Sequence, residues 1–295
     1  MIRLLTDPKK RRAVIQLTRL DKPIGVFLLL WPTLWALWVA ADGWPKPRVL
    51  VVFLLGTLFM RMAGCAINDF ADRKVDGGVA RTQNRPLATG ALSAREALWV
   101  FGLLIVLSFA LVLTMNALTI ALSFGGAALA AVYPFMKRVT HLPQLVLGAA
   151  FSWAIPMAFA AQTGSVPSLA WLMFLAAFLL TIAYDTMYAM VDRADDLEVG
   201  IKSIAIALGE LDRPAIGLLQ ALLLLTLLLV GQQCEFGGTY LASIGIAAGL
   251  CVYQQWLIRH REPQACFRAF LNNQWLGLAV FVGILVETTL LPSAL

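Results

Sequence analysis

Residues 23–41 read PIGVFLLLWPTLWALWVAA, nineteen positions without a charged side chain. About 20 such residues carry a helix across the ~30 Å hydrocarbon core of a bilayer. Seven basic residues precede the stretch, which raises the question of a cleaved leader. The apolar run is too long for the h-region of a signal peptide, and its 22-residue lead is too long for an n-region. Val39-Ala40-Ala41 is at best a weak cleavage site. The segment therefore reads as a retained transmembrane helix.

Eight more charge-poor runs follow, at 49–67, 97–115, 117–136, 142–162, 168–188, 214–233, 236–258 and 272–292. The 295 residues are 60% apolar and 14% charged, with a mean hydropathy of +0.79. A soluble domain is roughly 45–50% apolar and about 25% charged. A water-soluble enzyme, a disordered chain and a coiled coil are excluded. Continuous apolar runs also exclude a barrel, whose strands alternate over about ten residues. The expected fold is all-α. It is one polytopic domain, 1–295, with nine transmembrane helices around a central cavity open to the cytoplasmic side.

Twenty of the 23 basic residues lie in alternate segments: the tail 1–22 and the loops 68–96, 137–141, 189–213 and 259–271. The positive-inside rule then places the N-terminus in the cytoplasm and the C-terminus outside, periplasmic or extracellular, in a bacterial-type inner membrane. The net charge of +6 is thus a membrane-orientation signal and not a nucleic-acid footprint. Residues 7–20, DPKKRRAVIQLTRL, read as a basic segment lying on anionic lipid.

The two histidines, His141 and His260, have no partner at ligand spacing. Cys65, Cys234, Cys251 and Cys266 form no CxxC pair, and no Walker loop, GxGxxG or GxSxG motif occurs. The acids are more informative, because eight of the 17 fall in two short segments. The first is NDFADRKVD, Asn68 to Asp76, and the second runs from Asp185 to Glu198. Asp69, Asp72 and Asp76 are spaced i, i+3, i+7, one face of a continuing helix. Asp185, Asp192 and Asp196 are spaced i, i+7, i+11, again one face. Both segments end helices running toward the cytoplasm, where the macrodipole disfavours each anion by about 0.3–1 kcal/mol. A cation belongs there.

Hard oxygen donors without His or Cys suggest Mg²⁺ or Ca²⁺. Mg²⁺ uses one or two carboxylates plus substrate phosphates, so two facing clusters suit a bridging diphosphate. Arg73, Lys74, Arg81 and Arg85 follow the first cluster, and Arg193 and Lys202 the second, as candidate phosphate clamps. Tyr133 and Lys137 end the fourth span one turn apart at the same depth.

At these residues the chain resembles the UbiA family of intramembrane prenyltransferases. The family's NDxxDxxxD signature reads here as Asn68, Asp69, Asp72 and Asp76, its DxxxD as Asp192 and Asp196, and its YxxxK as Tyr133 and Lys137. The stretch RTQNRPLATG, Arg81 to Gly90, is similar to the segment that follows the first signature. Longer strings, 20–37, 60–77 and 188–203, are similar to the branch that prenylates 4-hydroxybenzoate. The resemblance implies Mg²⁺ held by Asp69, Asp72, Asp192 and Asp196, with a polyprenyl diphosphate as donor and 4-hydroxybenzoate as acceptor. It implies substrate contacts from Asn68, Asp76, Arg81, Arg85, Tyr133, Lys137 and Lys202. The acceptor is an anion. Arg61, the one basic residue inside an apolar run, and Arg138 are the two candidates for its carboxylate. Other acceptors, namely homogentisate, dihydroxynaphthoate or haem, stay open, as does a cation-coupled transporter. Trp31, Trp35, Phe151 and Trp153 are candidates to line a groove for the prenyl tail.

Overall fold

A computed structural model of the chain describes residues 6–74, 76–78 and 82–290. Among these residues nine helical segments are long and apolar enough to cross a membrane: Ile24–Ala41, Pro47–Asp72, Ala94–Val112, Ala117–Val139, Pro143–Thr163, Ser168–Glu198, Ile204–Gln233, Gly238–His260 and Pro263–Thr289. The expected all-α, multi-span membrane architecture is what the chain adopts. The ends differ from the hydropathy reading in ways that matter for the site.

Helix α1 (Pro8–Leu17) begins on Asp7, whose side chain accepts from the Lys9 N–H at 2.8 Å, with Pro8 in the first turn. One face of it docks on the rest of the protein, while Lys9, Arg11 and Arg12 of the basic segment stay exposed. Ala13 and Leu17 are buried against Ala66, Leu92 and Ala97, and Lys10 pairs with Glu96 at 2.8 Å. Helix α1 ends in a Schellman arrangement, with Arg19 N–H on the Gln16 carbonyl and Leu20 N–H on the Ile15 carbonyl. Arg19 holds the left-handed position at φ 58°, where glycine is usual.

Helix α2 (Ile24–Ala41) supplies Trp35, fully buried, whose indole donates to the Gly277 carbonyl at 2.9 Å. Trp35 is therefore a packing residue and not part of a groove. Helix α3 (Pro47–Asp72) runs five residues beyond the apolar stretch that ended at 67, so Asn68, Asp69 and Asp72 occupy its last turns and not a loop. It ends at Asp72. Asp76 lies in a separate 3₁₀ turn, Asp76–Gly78, and not on the same helix face.

Helix α4 (Ala94–Val112) opens with a reciprocal capping box between Ser93 and Glu96. Helix α5 (Ala117–Val139) follows, its first turn capped by Asn116. The fifth span is broken into α6 (Pro143–Ser152) and α7 (Ala154–Thr163). Pro156 has no N–H to offer the Ser152 carbonyl, which accounts for the break at Trp153. Helix α8 (Ser168–Val199) is 32 residues long and carries Asp192 and Asp196 as helix, where 189–213 read as loop. The short α9 (Ile204–Leu208) leads to α10 (Asp212–Gln233), α11 (Gly238–Leu257) and α12 (Pro263–Thr289). Helix α12 starts at Pro263 and not near 272, because residues 263–271 mix buried Ala265, Cys266 and Ala269 with polar positions, which hides them from a hydropathy window.

The main core gathers Trp35, Ile155, Met173, Leu180, Leu223 and Val280 from five of the nine spans. Buried amides add a polar tie: Gln220 donates to Gln254 at 2.7 Å and Gln254 to Asn272 at 2.9 Å, joining α10, α11 and α12. The sixth span is the most enclosed, and the third and fourth are the least.

Candidate active site

A cavity of about 1020 Å³ opens among the spans. Asn68, Asp69, Asp72 and Asp76 line one side of its polar end, and Asp192 and Asp196 line it from α8. The predicted convergence of the two signatures is thus present. From Asp72 the lining continues along α3 to Val52, about 30 Å at 1.5 Å per residue. Phe109, Ala127, Phe151, Trp153 and Met157 make that arm apolar, whereas Trp31 lies outside the lining. Trp153 sits in the break of the fifth span, its indole donating to the Leu122 carbonyl at 2.8 Å and its ring filling the space over Gly125 and Gly126.

The first acidic group is deeply buried, with Asp69, Asp72 and Asp76 only 1, 2 and 4% exposed. Each carboxylate is met by a cation. Asp69 accepts from Arg19 at 2.9 and 3.1 Å and lies 3.1 Å from Arg85. Asp76 takes two contacts of 3.0 Å from Arg85. Asp72 accepts a short bond from Lys137 and lies 3.8 Å from Arg138. Arg85 is therefore the hub of the group. It is delivered by the turn after 82, where Thr82 donates to the Asp76 carbonyl at 2.9 Å and Arg85 N–H closes on the Thr82 carbonyl. Burial pushes the Asp76 carboxyl above its ordinary range, and Arg85 pulls it back.

Arg61 lies eight residues before Asp69 and lines the cavity one layer deeper. Its guanidinium packs over Gly25, where a Cβ would collide with it, and its Nε has no hydrogen-bond partner among the described residues. Tyr133, Tyr184, Tyr188 and Asp185 are within its electrostatic reach. Gln144 bridges this layer to the loop after α8: its carbonyl accepts from Ile204 N–H at 3.2 Å and its amide contacts Asp185.

Lys202 lines the cavity, and its backbone N–H donates to the Lys137 carbonyl at 3.0 Å. Arg138 is half exposed, donates to the Ala71 carbonyl at 2.5 Å and lies outside the lining. Arg73 stacks on Phe70, its guanidinium carbon 4.1 Å from the ring centroid, and Arg193 turns to Asp212, so neither clamps the cavity. Arg81 lies outside the described residues.

Arg19 and Asp185 were not among the predicted site residues. Arg19 was hidden in a basic run with an ordinary membrane reading. Asp185 was already visible in the i, i+7, i+11 pattern.

Among the described residues no three His, Cys, Asp or Glu side chains gather at ligand spacing. That does not argue against Mg²⁺, which is commonly held by one or two carboxylates with phosphates completing its shell. The donors are of the right kind, and Asp72 Oδ1 is buried without a hydrogen-bond partner among the described residues.

The chain is 61% identical over 275 residues to a 4-hydroxybenzoate octaprenyltransferase of Aliivibrio fischeri (strain MJ11), covering 93% of this chain and 96% of that one. Its fold is similar to that of a UbiA homolog from Aeropyrum pernix K1, at a TM-score of 0.78 and 24% identity over 89% of this chain and 97% of the other. A UbiA homolog from Archaeoglobus fulgidus bound to GPP and Mg²⁺ superposes at 0.69 with 20% identity, over 93% of this chain and 100% of the other. The match to the UbiA prenyltransferase family covers residues 29–279, and the chain belongs to that family.

Proposed function

We propose that the chain transfers a polyprenyl group from a polyprenyl diphosphate to the ring carbon ortho to the hydroxyl of 4-hydroxybenzoate. The observation that carries this reading is the junction of two acidic signatures, a set of cations and a long apolar arm in one cavity. The relative at 61% identity with the same printed activity supports the choice of acceptor.

Asp69, Asp72, Asp192 and Asp196 would hold Mg²⁺, which supplies Lewis-acid neutralisation of the leaving diphosphate. Asn68, Arg81, Arg85, Lys137 and Lys202, with Arg19 added by its contact to Asp69, bind the phosphate oxygens. Arg19, Arg85 and Lys137 are already ordered on the acids, so binding the donor exchanges carboxylate partners for phosphate partners. Asp76 orients Arg85 through its two 3.0 Å contacts. The apolar arm takes the prenyl tail and keeps water from the allylic carbon.

Arg61 holds the acceptor carboxylate, and Tyr133, which lines the same cavity as Arg61 and Asp72, faces the reacting carbons. The C–O bond of the donor breaks, a C–C bond forms at the ring, and the ring proton leaves. Purified protein in detergent with Mg²⁺, a polyprenyl diphosphate and a panel of aromatic acids tests this reading. Ring-prenylated 4-hydroxybenzoate is expected. A product from homogentisate or dihydroxynaphthoate alone would reassign the acceptor.

The orientation belongs to the same proposal: N-terminus and both acidic groups on the cytoplasmic side of an inner membrane, C-terminus outside. It rests on the distribution of Lys and Arg. A reporter fused after Leu295 should be exported while one near Lys202 stays inside. Both on one side would break the assignment.

A further inference from the structure

Arg193 follows Asp192 in the second signature, yet its side chain leaves the cavity. Its guanidinium reaches the Gly209 carbonyl at 3.4 Å and the Asp212 carboxylate at 3.5 Å. Asp212 opens α10 and is fully buried. Its carboxylate also accepts from Arg261, at 2.9 Å from Nη2 and 3.0 Å from Nε. Arg261 is itself fixed, donating to the Glu210 carbonyl at 2.8 Å and pairing with the Glu210 carboxylate at 3.0 Å. It sits in the left-handed turn (φ 55°) between α11 and α12. One buried carboxylate therefore joins α8, the start of α10 and the turn before α12.

The position of this junction along α8 gives it a consequence. Met187, Ala189 and Met190 anchor that helix against Ile216, Leu257, Ile258, Cys266 and Ala269. The apolar anchoring stops at Val191, and residues 192–198, which include both signature acids, contain no buried position. A helical extension without a buried apolar face gains little from packing and opens readily unless polar contacts tie it down. Arg193 makes such a contact from within the extension. Gly209, at φ 55° and ψ −118°, has a backbone that suits glycine and brings its carbonyl to the guanidinium.

We propose that Arg193 and Arg261, meeting on the buried carboxylate of Asp212, form an ionic brace that holds the end of α8 so that Asp192 and Asp196 face the cavity. They are positioning residues and touch neither substrate. The proposal rests on the reading of Asp192 and Asp196 as metal and diphosphate ligands. An ion pair of this kind stabilises weakly once desolvation is counted, so its contribution lies in fixing one arrangement.

The test uses the full chain in detergent with Mn²⁺ as the probe, in the presence of an unreactive polyprenyl thiodiphosphate. Mn²⁺ binding is read by electron paramagnetic resonance, and amide hydrogen exchange is followed over residues 192–198. Arg193→Gln should weaken Mn²⁺ binding about tenfold, at the low end of what loss of outer-shell support costs. It should also speed exchange over 192–198, raise the donor KM and leave the acceptor KM unchanged. Arg193→Lys should recover part of each effect, and Asp212→Asn should reproduce them. Asp192→Asn is the control. If it binds Mn²⁺ like wild type, the ligand reading of α8 fails. If it loses Mn²⁺ while Arg193→Gln keeps wild-type affinity and exchange, the brace is refuted, whatever the melting temperatures.

Discussion

The two acidic walls of the cavity are built by different means. At the end of α3 and in the 3₁₀ turn after it, Asp69, Asp72 and Asp76 are almost completely buried, and Arg19, Arg85, Lys137 and Arg138 surround them. Those cations come from three separate places: the cap of α1, the turn after 82 and the end of α5. At the end of α8, Asp192 and Asp196 are half-buried on a helical extension, and the neighbouring Arg193 is committed to Asp212 behind them. One wall is held by groups of which three, Arg19, Arg85 and Lys137, line the cavity themselves. The other is held from the back by groups that do not. The contrast separates substitutions that strike chemistry from those that strike position.

The largest expected effect comes from the acids proposed to hold Mg²⁺. Asp72→Asn and Asp196→Asn keep side-chain volume but lose a charge, and each should lower turnover by about 10²–10³-fold, the scale of losing one preorganised electrostatic contact. Turnover at saturating substrates and low Mg²⁺ is the measurement. Wild-type rates in either variant would remove that wall from the metal assignment.

Arg61 belongs to neither wall, so its loss should leave donor behaviour intact. Arg61→Leu should raise the acceptor KM roughly tenfold to a hundredfold, matching a charge-assisted bond of about 1.5–3 kcal/mol. Arg61→Lys should recover only part, because an ammonium lacks the bidentate fork. If the donor KM moves instead, Arg61 braces the acids. If Arg138→Leu raises the acceptor KM and Arg61→Leu does not, the carboxylate belongs to Arg138.

A smaller effect tests the front-held wall as a structural unit. Arg85→Gln leaves the buried Asp76 carboxylate short of its main partner and should cost about 1–3 kcal/mol. Thermal unfolding in detergent should show the loss without Mg²⁺ and a partial recovery on adding it. The Arg193→Gln protein should show no comparable recovery, since the partners it loses, Gly209 and Asp212, lie outside the cavity lining.

The nine spans were legible because hydropathy over about 19 residues reports whether a segment sits in hydrocarbon. Helix ends were not. Asn68 to Asp72 and Asp192 to Val199 are polar but still helical, so a window that measures burial stops short of a backbone that continues. The i, i+3 and i+7 spacings recovered part of this, placing Asp69 and Asp72 on one face while overextending the helix to Asp76. Arg19 was read as lipid-facing because nothing local shows that α1 docks on Ala66 and Leu92. The junction at Asp212 draws on Arg193 and Arg261, separated by two whole spans, and no local pattern connects them. The break at Trp153 was written in Pro156 yet lay inside an uninterrupted apolar run.

The central claim is that both walls act on one diphosphate. Binding of a labelled, unreactive polyprenyl thiodiphosphate to the purified protein, with and without Mg²⁺, tests it most directly. The account predicts Mg²⁺-dependent binding in wild type that is lost in Asp72→Asn and lost equally in Asp196→Asn. Mg²⁺-dependent binding that survives either single substitution at wild-type affinity would contradict it.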